Sequence, residues 1–334
     1  MCLRIGLVFH ERPAFVLEEK KMDMFICLML FAVGLVLVVK GGDAFVDAAS
    51  WIAKAMDIPT FIIGATIVSL ATTMPEMIVS VMAAAEGKVD MAIGNAVGSV
   101  IANTGLIMAV AMVAMSIPCS REKYLPQCLL LIAASAVLLI GCRSGRLSVI
   151  CSLALILIFL LFMGENLRRA KSEMKSAQDH QSVDKGELAR NIGKFIVAAA
   201  AIVLGSRFMV DNGSRIAYLL GVPERIVALT LVAIGTSLPE LVTTITAIVK
   251  KESALSIGNL IGANIIDLSL ILPISSLAAG ESLPVSAQSL AMDLPACLLI
   301  SLLAMLPLIF RQRACRLQGI ALLAAYGVYL FLVL

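Results

Sequence analysis

The stretch Leu70-Ala71-Thr72-Thr73-Met74-Pro75-Glu76 decides how this chain is read, and it recurs as Ile234-Gly235-Thr236-Ser237-Leu238-Pro239-Glu240. Each copy sets two hydroxyl side chains, a proline and a glutamate inside an apolar segment. A carboxylate within a membrane span is costly, and by default it marks a functional site. Two of them at matched positions of a repeat strengthen that reading.

The recurrence belongs to a longer one. Residues 41–110 align without a gap on 205–274, at a constant offset of 164 (205 − 41), and 21 of the 70 positions are identical. The identities include Gly41/Gly205, Asp47/Asp211, Pro59/Pro223, Thr66/Thr230, Thr72/Thr236, Glu76/Glu240, Asn95/Asn259 and Gly98/Gly262. Apolar composition alone does not match Pro, Glu, Asn and Asp at one offset, so the chain contains an internal repeat.

Composition places that repeat in a bilayer. Of 334 residues 60% are hydrophobic and 15% charged, against about 25% charged in soluble domains. Mean hydropathy is +1.00. A helical span needs about 20 apolar residues, and such runs recur along the chain. The reading is an all-α polytopic membrane protein with ten transmembrane helices, arranged as two inverted five-helix repeats. Residues 1–22 form an N-terminal tail that does not read as a cleaved signal peptide, because Arg4, His10, Arg12 and Glu18-Glu19-Lys20-Lys21 break its apolar pieces. Residues 23–165 carry the first repeat, 166–194 a charged linker and 195–334 the second repeat. An odd number of spans per repeat makes the second copy enter from the opposite side, the architecture of many secondary transporters.

Loop charges orient the chain. With both termini outside, the inner segments hold 15 Lys and Arg and the outer segments hold 8. The positive-inside rule then favours a cytoplasmic 166–194 linker. The eight cysteines form no Cys-x-x-Cys pair and the two histidines stand apart, so a zinc site is not expected.

The repeated motif is chemically specific. Thr72 and Glu76 are four residues apart, a spacing that puts both on one helix face. Pro75 has no N–H, so the carbonyl of Ala71 would lose its helical partner. Such carbonyls are tolerated at membrane depth only where protein or a polar cavity satisfies them. Hydroxyls, free carbonyls and a carboxylate make an all-oxygen ligand set suited to the hard cations Ca²⁺ and Na⁺. A second motif pair, Gly94-Asn95-Ala96-Val97-Gly98-Ser99-Val100-Ile101-Ala102-Asn103 and Gly258-Asn259-Leu260-Ile261-Gly262-Ala263-Asn264-Ile265-Ile266-Asp267, adds oxygen ligands at the equivalent positions Asn103 and Asp267. Its glycines suit close helix approach.

With both motif pairs in view, the chain resembles the cation/Ca²⁺ exchanger superfamily, and within it the prokaryotic Na⁺/Ca²⁺ exchangers, over nearly all of residues 23–334. The resemblance implies four central liganding residues, Glu76, Asn103, Glu240 and Asp267. It also implies flanking ligands at the hydroxyls of Thr72, Thr73, Ser99, Thr236 and Ser237 and at the backbone oxygens of Ser69 and Ala233. Departures are Ala71-Thr72-Thr73-Met74 in place of Gly-Thr-Ser-Leu, Val100 opposite Asn264, and Ala263 opposite Ser99, where one hydroxyl is missing.

The function expected is a secondary antiporter, not an enzyme, exchanging Ca²⁺ for Na⁺ by alternating access. Three acidic groups in a low-dielectric site resist standing empty and ionised, so Ca²⁺ and Na⁺ would compete for shared ligands. The first and sixth spans, with Gly41, Gly42, Asp47 and Gly205, Ser206, Asp211, Asn212, Gly213, are the candidate moving parts. No resident cofactor and no nucleic-acid partner are expected. The partners are the transported Ca²⁺ and Na⁺ and the lipid bilayer, and the protein is expected to work as a monomer in a prokaryotic inner membrane. The nearest alternative keeps the fold and changes the driver to H⁺, or adds K⁺. A cation channel would need a continuous pore, usually built by subunits around an axis.

Overall fold

A computed structural model describes residues 13–114, 117–118, 121–176, 184–222, 235–280 and 282–333. The chain is almost wholly helical. Helix α1 (Pro13–Ala55) is followed by α2 (Thr60–Thr72), α3 (Met74–Ala85), α4 (Val89–Ala114), α5 (Arg121–Gly141) and α6 (Val149–Ser176). After the central connection come α7 (Lys185–Leu219), α8 (Leu238–Val249), α9 (Ser253–Ala279), α10 (Ser289–Arg311) and α11 (Arg316–Val333). Two short strands, β1 (Ile117–Pro118) and β2 (Arg313–Ala314), pair antiparallel and tie two loops together.

Among the described residues, eight helices are long and apolar enough to cross a bilayer. The pair α2 and α3, bent by 46° between Thr72 and Met74, qualifies jointly as a further span. Helix α8 is apolar and shorter. Residues 223–234, which precede it in the second repeat, lie outside the described residues. The charged stretch 166–194 is largely helical. Helix α6 runs on to Ser176, where Glu165 pairs with Arg168 at 2.9 Å and Arg169 at 2.6 Å. Helix α7 begins at Lys185, capped by the Asp184 carboxylate accepting from Gly186 N–H at 3.1 Å.

The buried centre is made by α4 and α9. In each, 78% of the most apolar stretch is buried, against 17% for α1 and α11 and 28% for α6 and α7. Helices α1 and α7 pack chiefly on each other, as an outer pair whose large apolar side chains, such as Phe25, Val36 and Leu204, face outward. In a bilayer those faces meet lipid.

Glycines set the closest approaches. A Cβ on Gly258 would strike Phe61 O and come within 3.0 Å of Ala65 N, and one on Gly262 would meet Ser69 Oγ at 2.7 Å. Helix α9 therefore lies against the backbone of α2. The equivalent glycines of the first half, Gly94 and Gly98, have no neighbour at that range among the described residues. The positions that match Phe61 and Ala65 by the 164 offset, Arg225 and Leu229, fall outside the described residues. The outer helices approach closely at two glycines: a Cβ on Gly34 would come within 2.7 Å of Gly205 O, and one on Gly41 within 3.2 Å of Ala198 O. Phe45 and Phe195 stack between them with centroids 4.4 Å apart.

Candidate cation site at the helix breaks

Each motif glutamate sits just past an interruption in its helix. Thr73 (φ −84°, ψ 0°) ends the first segment and Ser237 (φ −85°, ψ 9°) precedes the second. Pro75 and Pro239 then fall in the first two positions of α3 and α8. A missing N–H costs little there, because the first N–H groups of a helix have no partner in any case. This corrects the expectation of a proline inside a continuous helix with Thr72 and Glu76 on one face. The chain breaks between them, and the hydroxyl of Thr72 turns to the other half of the molecule.

The break also explains how the carboxylates are tolerated. Glu76 and Glu240 both lie in a first helical turn, where aligned peptide dipoles favour negative charge. Among the described residues no basic side chain is paired with either.

Asn103 and Asp267 occupy a second kind of irregularity. Each opens a π-helical turn, Asn103–Met108 in α4 and Asp267–Ile271 in α9. Such turns occur often at functional sites. Helix α3 packs on the turn that starts at Asp267, and α8 packs on the turn that starts at Asn103. Each glutamate-bearing helix thus packs on the other half's turn. Glu76 lies within electrostatic range of Glu240 and Asp267.

All four are sealed from solvent, with Glu76 and Asn103 1% exposed and Glu240 and Asp267 fully buried. Among the described residues, both carboxylate oxygens of Glu76, both of Asp267, Glu240 Oε2 and Asn103 Oδ1 have no hydrogen-bond partner. Buried polar atoms are almost always paired, so six orphans in one place call for an explanation. Among the described residues no three His, Cys, Asp or Glu side chains stand close enough to hold a metal ion between them. The carboxylates converge on a region, therefore, and not on a point.

The flanking residues expected at the site behave differently from one another. Thr73 Oγ1 donates to Ser69 O at 2.6 Å and lies 3.4 Å from Glu240 Oε1. Ser69 O also accepts Thr73 N–H at 2.9 Å. A carbonyl oxygen has two lone pairs, so the Ser69 oxygen is already engaged. Thr72 Oγ1 lies 3.2 Å from Asn259 Oδ1 and 3.4 Å from Ser69 O. The Ser237 hydroxyl is buried without a partner, Ser99 is buried and Thr236 is half-buried. Ala233 lies outside the described residues.

Several site residues were not expected from the sequence. Asn95 donates to Glu76 O at 3.2 Å and to Ser80 Oγ at 2.9 Å. Asn259 donates to Thr243 Oγ1 at 3.0 Å while its own oxygen faces Thr72. These amides buttress the two glutamate-bearing segments. The signal for them was present, since Asn95 and Asn259 are identical under the 164 offset. It served as evidence of a repeat and not of a site.

Comparison with known proteins agrees with this geometry. The sequence matches the family "Sodium/calcium exchanger protein" over residues 26–165 and 191–334. It is 30% identical to Sodium/calcium exchanger MaX1 of Methanosarcina acetivorans over 342 aligned positions, covering 90% of this chain and 97% of that one. It is 34% identical to Inner membrane protein YrbG of Escherichia coli, covering 76% of this chain and 80% of the relative. Its fold superposes on the sodium-calcium exchanger NCX_Mj, soaked with 10 mM Na⁺ and no Ca²⁺, with a TM-score of 0.78 at 26% identity, over 91% of this chain and 98% of that chain. The breaks, the crossed pairs and these similarities converge on one assignment: the chain belongs to the sodium/calcium exchanger family.

Proposed function

We propose that this protein is a membrane antiporter that exchanges Ca²⁺ for Na⁺ at a buried site formed by Glu76, Asn103, Glu240 and Asp267. The observation that carries the proposal is the set of six orphaned oxygens on these four residues. Left empty, such a set pays a desolvation penalty with no return. A hard cation would satisfy it, and all-oxygen surroundings are what Ca²⁺ and Na⁺ take. Ca²⁺ and Na⁺ are substrates here, and the reading needs no resident cofactor.

Exchange follows from shared ligands. Ca²⁺ would draw on the carboxylates of Glu76 and Glu240, with Asp267 and Asn103 completing the centre. Na⁺ would use the same carboxylates singly, with the hydroxyls of Thr72, Thr73, Ser99, Thr236 and Ser237 and the backbone at Ala233. Either cargo then excludes the other. Because the three carboxylates do not yet meet at one point, loading would draw α3 and α8 inward and occlude the ion.

Alternating access requires two equivalent routes, which ten spans in two inverted repeats would supply. The crossings of α1 and α7 support this, because the 164 offset turns the contact of Gly34 with Gly205 into that of Ala198 with Gly41. Ion pairs link this outer helix pair to the core at one end. Lys250 Nζ lies 2.6 Å from Asp47 and 3.8 Å from Asp43, and Lys54 lies 3.5 Å from Glu252. Under the offset, Asp43 becomes Arg207, Lys250 becomes Glu86 and Glu252 becomes Lys88. Asp43, Lys250 and Glu252 thus change sign at the matching end while Asp47 stays acidic as Asp211 and Lys54 becomes Tyr218; there Glu86 pairs with its neighbour Lys88 at 2.7 Å, and Arg207 has no ion pair among the described residues. This pattern supports a state clamped at the Lys250 end, which switching would release as Arg207 engages Glu86. The orientation with both termini outside and the 166–194 connection in the cytoplasm follows from the loop charges. A single chain suffices for the site.

The test is ⁴⁵Ca²⁺ uptake into proteoliposomes loaded with Na⁺, beside K⁺-loaded and pH-jumped vesicles. Uptake driven by outward Na⁺ alone supports the proposal. Uptake that follows only the pH jump makes the protein a proton antiporter, and dependence on K⁺ adds a third ion.

A further inference from the structure

Asn264 is buried completely, and its side-chain oxygen has no hydrogen-bond partner among the described residues. Its amide nitrogen donates to Thr104 Oγ1 at 2.7 Å, across the two halves of the molecule. Thr104 follows Asn103 in the π-helical turn of α4, and Asn264 lies three residues before Asp267 on α9. A spacing of three puts Asn264 and Asp267 on one helix face. The orphaned oxygen of Asn264 therefore lies on the helix face that carries Asp267, beside the turn that Asn103 opens.

The pair Asn264–Thr104 breaks the internal symmetry at both ends. Under the 164 offset, Asn264 corresponds to Val100 and Thr104 to Leu268. One residue earlier, the hydroxyl of Ser99 corresponds to the methyl of Ala263. The second half has thus lost an oxygen at position 263 and gained one at position 264. Thr104 holds the amide by its nitrogen, which leaves the oxygen as the free end.

We propose that Asn264 Oδ1 is a ligand for Na⁺ on the Asp267 side of the site, supplying the neutral oxygen that Ala263 lacks. The inference rests on the exchange function proposed above. An uncharged oxygen supplies a small share of the binding of a divalent ion already held by carboxylates. It supplies a larger share for a monovalent ion bound beside a single carboxylate. Asn264 would then set how much Na⁺ is needed to displace Ca²⁺.

The experiment compares Na⁺/Ca²⁺ exchange with Ca²⁺/Ca²⁺ exchange in proteoliposomes for the unsubstituted protein, Asn264→Leu and Thr104→Val. Ca²⁺/Ca²⁺ exchange needs no Na⁺ and reports a folded protein with an intact Ca²⁺ site. Asn264→Leu keeps the branched shape and removes the oxygen. It should raise the half-saturating Na⁺ about fivefold or more, the scale of one lost polar contact, while Ca²⁺/Ca²⁺ exchange stays within about twofold. Thr104→Val leaves the oxygen but frees the amide, and should shift Na⁺ dependence the same way by about twofold to threefold. Unchanged Na⁺ dependence in Asn264→Leu, or an equal fall of both exchange modes in both variants, overturns the assignment. If the unsubstituted protein moves Ca²⁺ without any Na⁺ dependence, the functional reading itself fails, and this shows before any substitution is made.

Discussion

The Thr73 hydroxyl, in the first half of the chain, stands 3.4 Å from Glu240 Oε1 in the second, while it is held by Ser69 O at 2.6 Å. Thr73 has one hydroxyl proton, and the shorter contact takes the larger share of it. The threonine therefore fixes the edge of the Glu240 carboxylate more than it neutralises it. Thr73→Val keeps the shape and removes both contacts. Exchange should fall about fivefold, corresponding to about 1 kcal/mol, and Thr73→Ser should restore it. Equal rates for Val and Ser would show that the hydroxyl has no part in the site.

The amides behind the glutamates make a second prediction. Asn259 joins Thr72 to Thr243, whose hydroxyl in turn lies 2.9 Å from Pro239 O and 3.1 Å from Glu240 O. Asn259→Ala leaves buried partners unsatisfied, at a cost of about 1–3 kcal/mol. Both Ca²⁺ affinity and thermal stability should drop. A variant with native melting temperature and native Ca²⁺ affinity would contradict the buttressing role.

Helix contact at glycine gives a stability prediction. A Cβ on Gly258 has no room against the backbone of α2, whereas Gly164 is helical with open space around it. Backbone cannot rotate away as a side chain can, so Gly258→Ala should destabilise by about 2 kcal/mol or more through overpacking. Gly164→Ala should be neutral or slightly stabilising, since alanine is the better helix former. Thermal unfolding in detergent, followed by tryptophan-independent far-ultraviolet circular dichroism, separates the two.

The ion pairs at the outer helices should govern rate and not affinity. Lys250 is 25% exposed and Asp47 51%. Pairs this exposed contribute no more than about 1 kcal/mol and are screened by salt. Lys250→Met should therefore change maximal exchange rate by less than about fivefold, with the effect shrinking at high ionic strength, and leave half-saturating Ca²⁺ unmoved. A large change in Ca²⁺ affinity would place Lys250 at the ion site instead.

Much of this arrangement was legible in the sequence because membrane burial punishes polar residues. Glu76, Glu240, Asn103 and Asp267 stood out against apolar neighbours, and the 164 offset paired them. The crossed packing was not legible, because nothing local to Glu76 says that its neighbour is the turn at Asp267. Nor were the helix break at Thr73 and the π-helical turns at Asn103 and Asp267, which depend on how α2, α4 and α9 fit each other's backbone. Thr72 shows the limit well. Its spacing from Glu76 implied a shared face, but the break sends its hydroxyl to Asn259.

The central claim is that four buried residues, two from each half, hold one cargo or the other. Equilibrium ⁴⁵Ca²⁺ binding to the purified protein, titrated with Na⁺ and repeated on a Glu76→Gln, Glu240→Gln double variant, tests it most directly. The account predicts saturable Ca²⁺ binding that Na⁺ displaces, and its loss in the double variant while the fold persists. Ca²⁺ binding that survives both substitutions, or that Na⁺ leaves untouched, would contradict it.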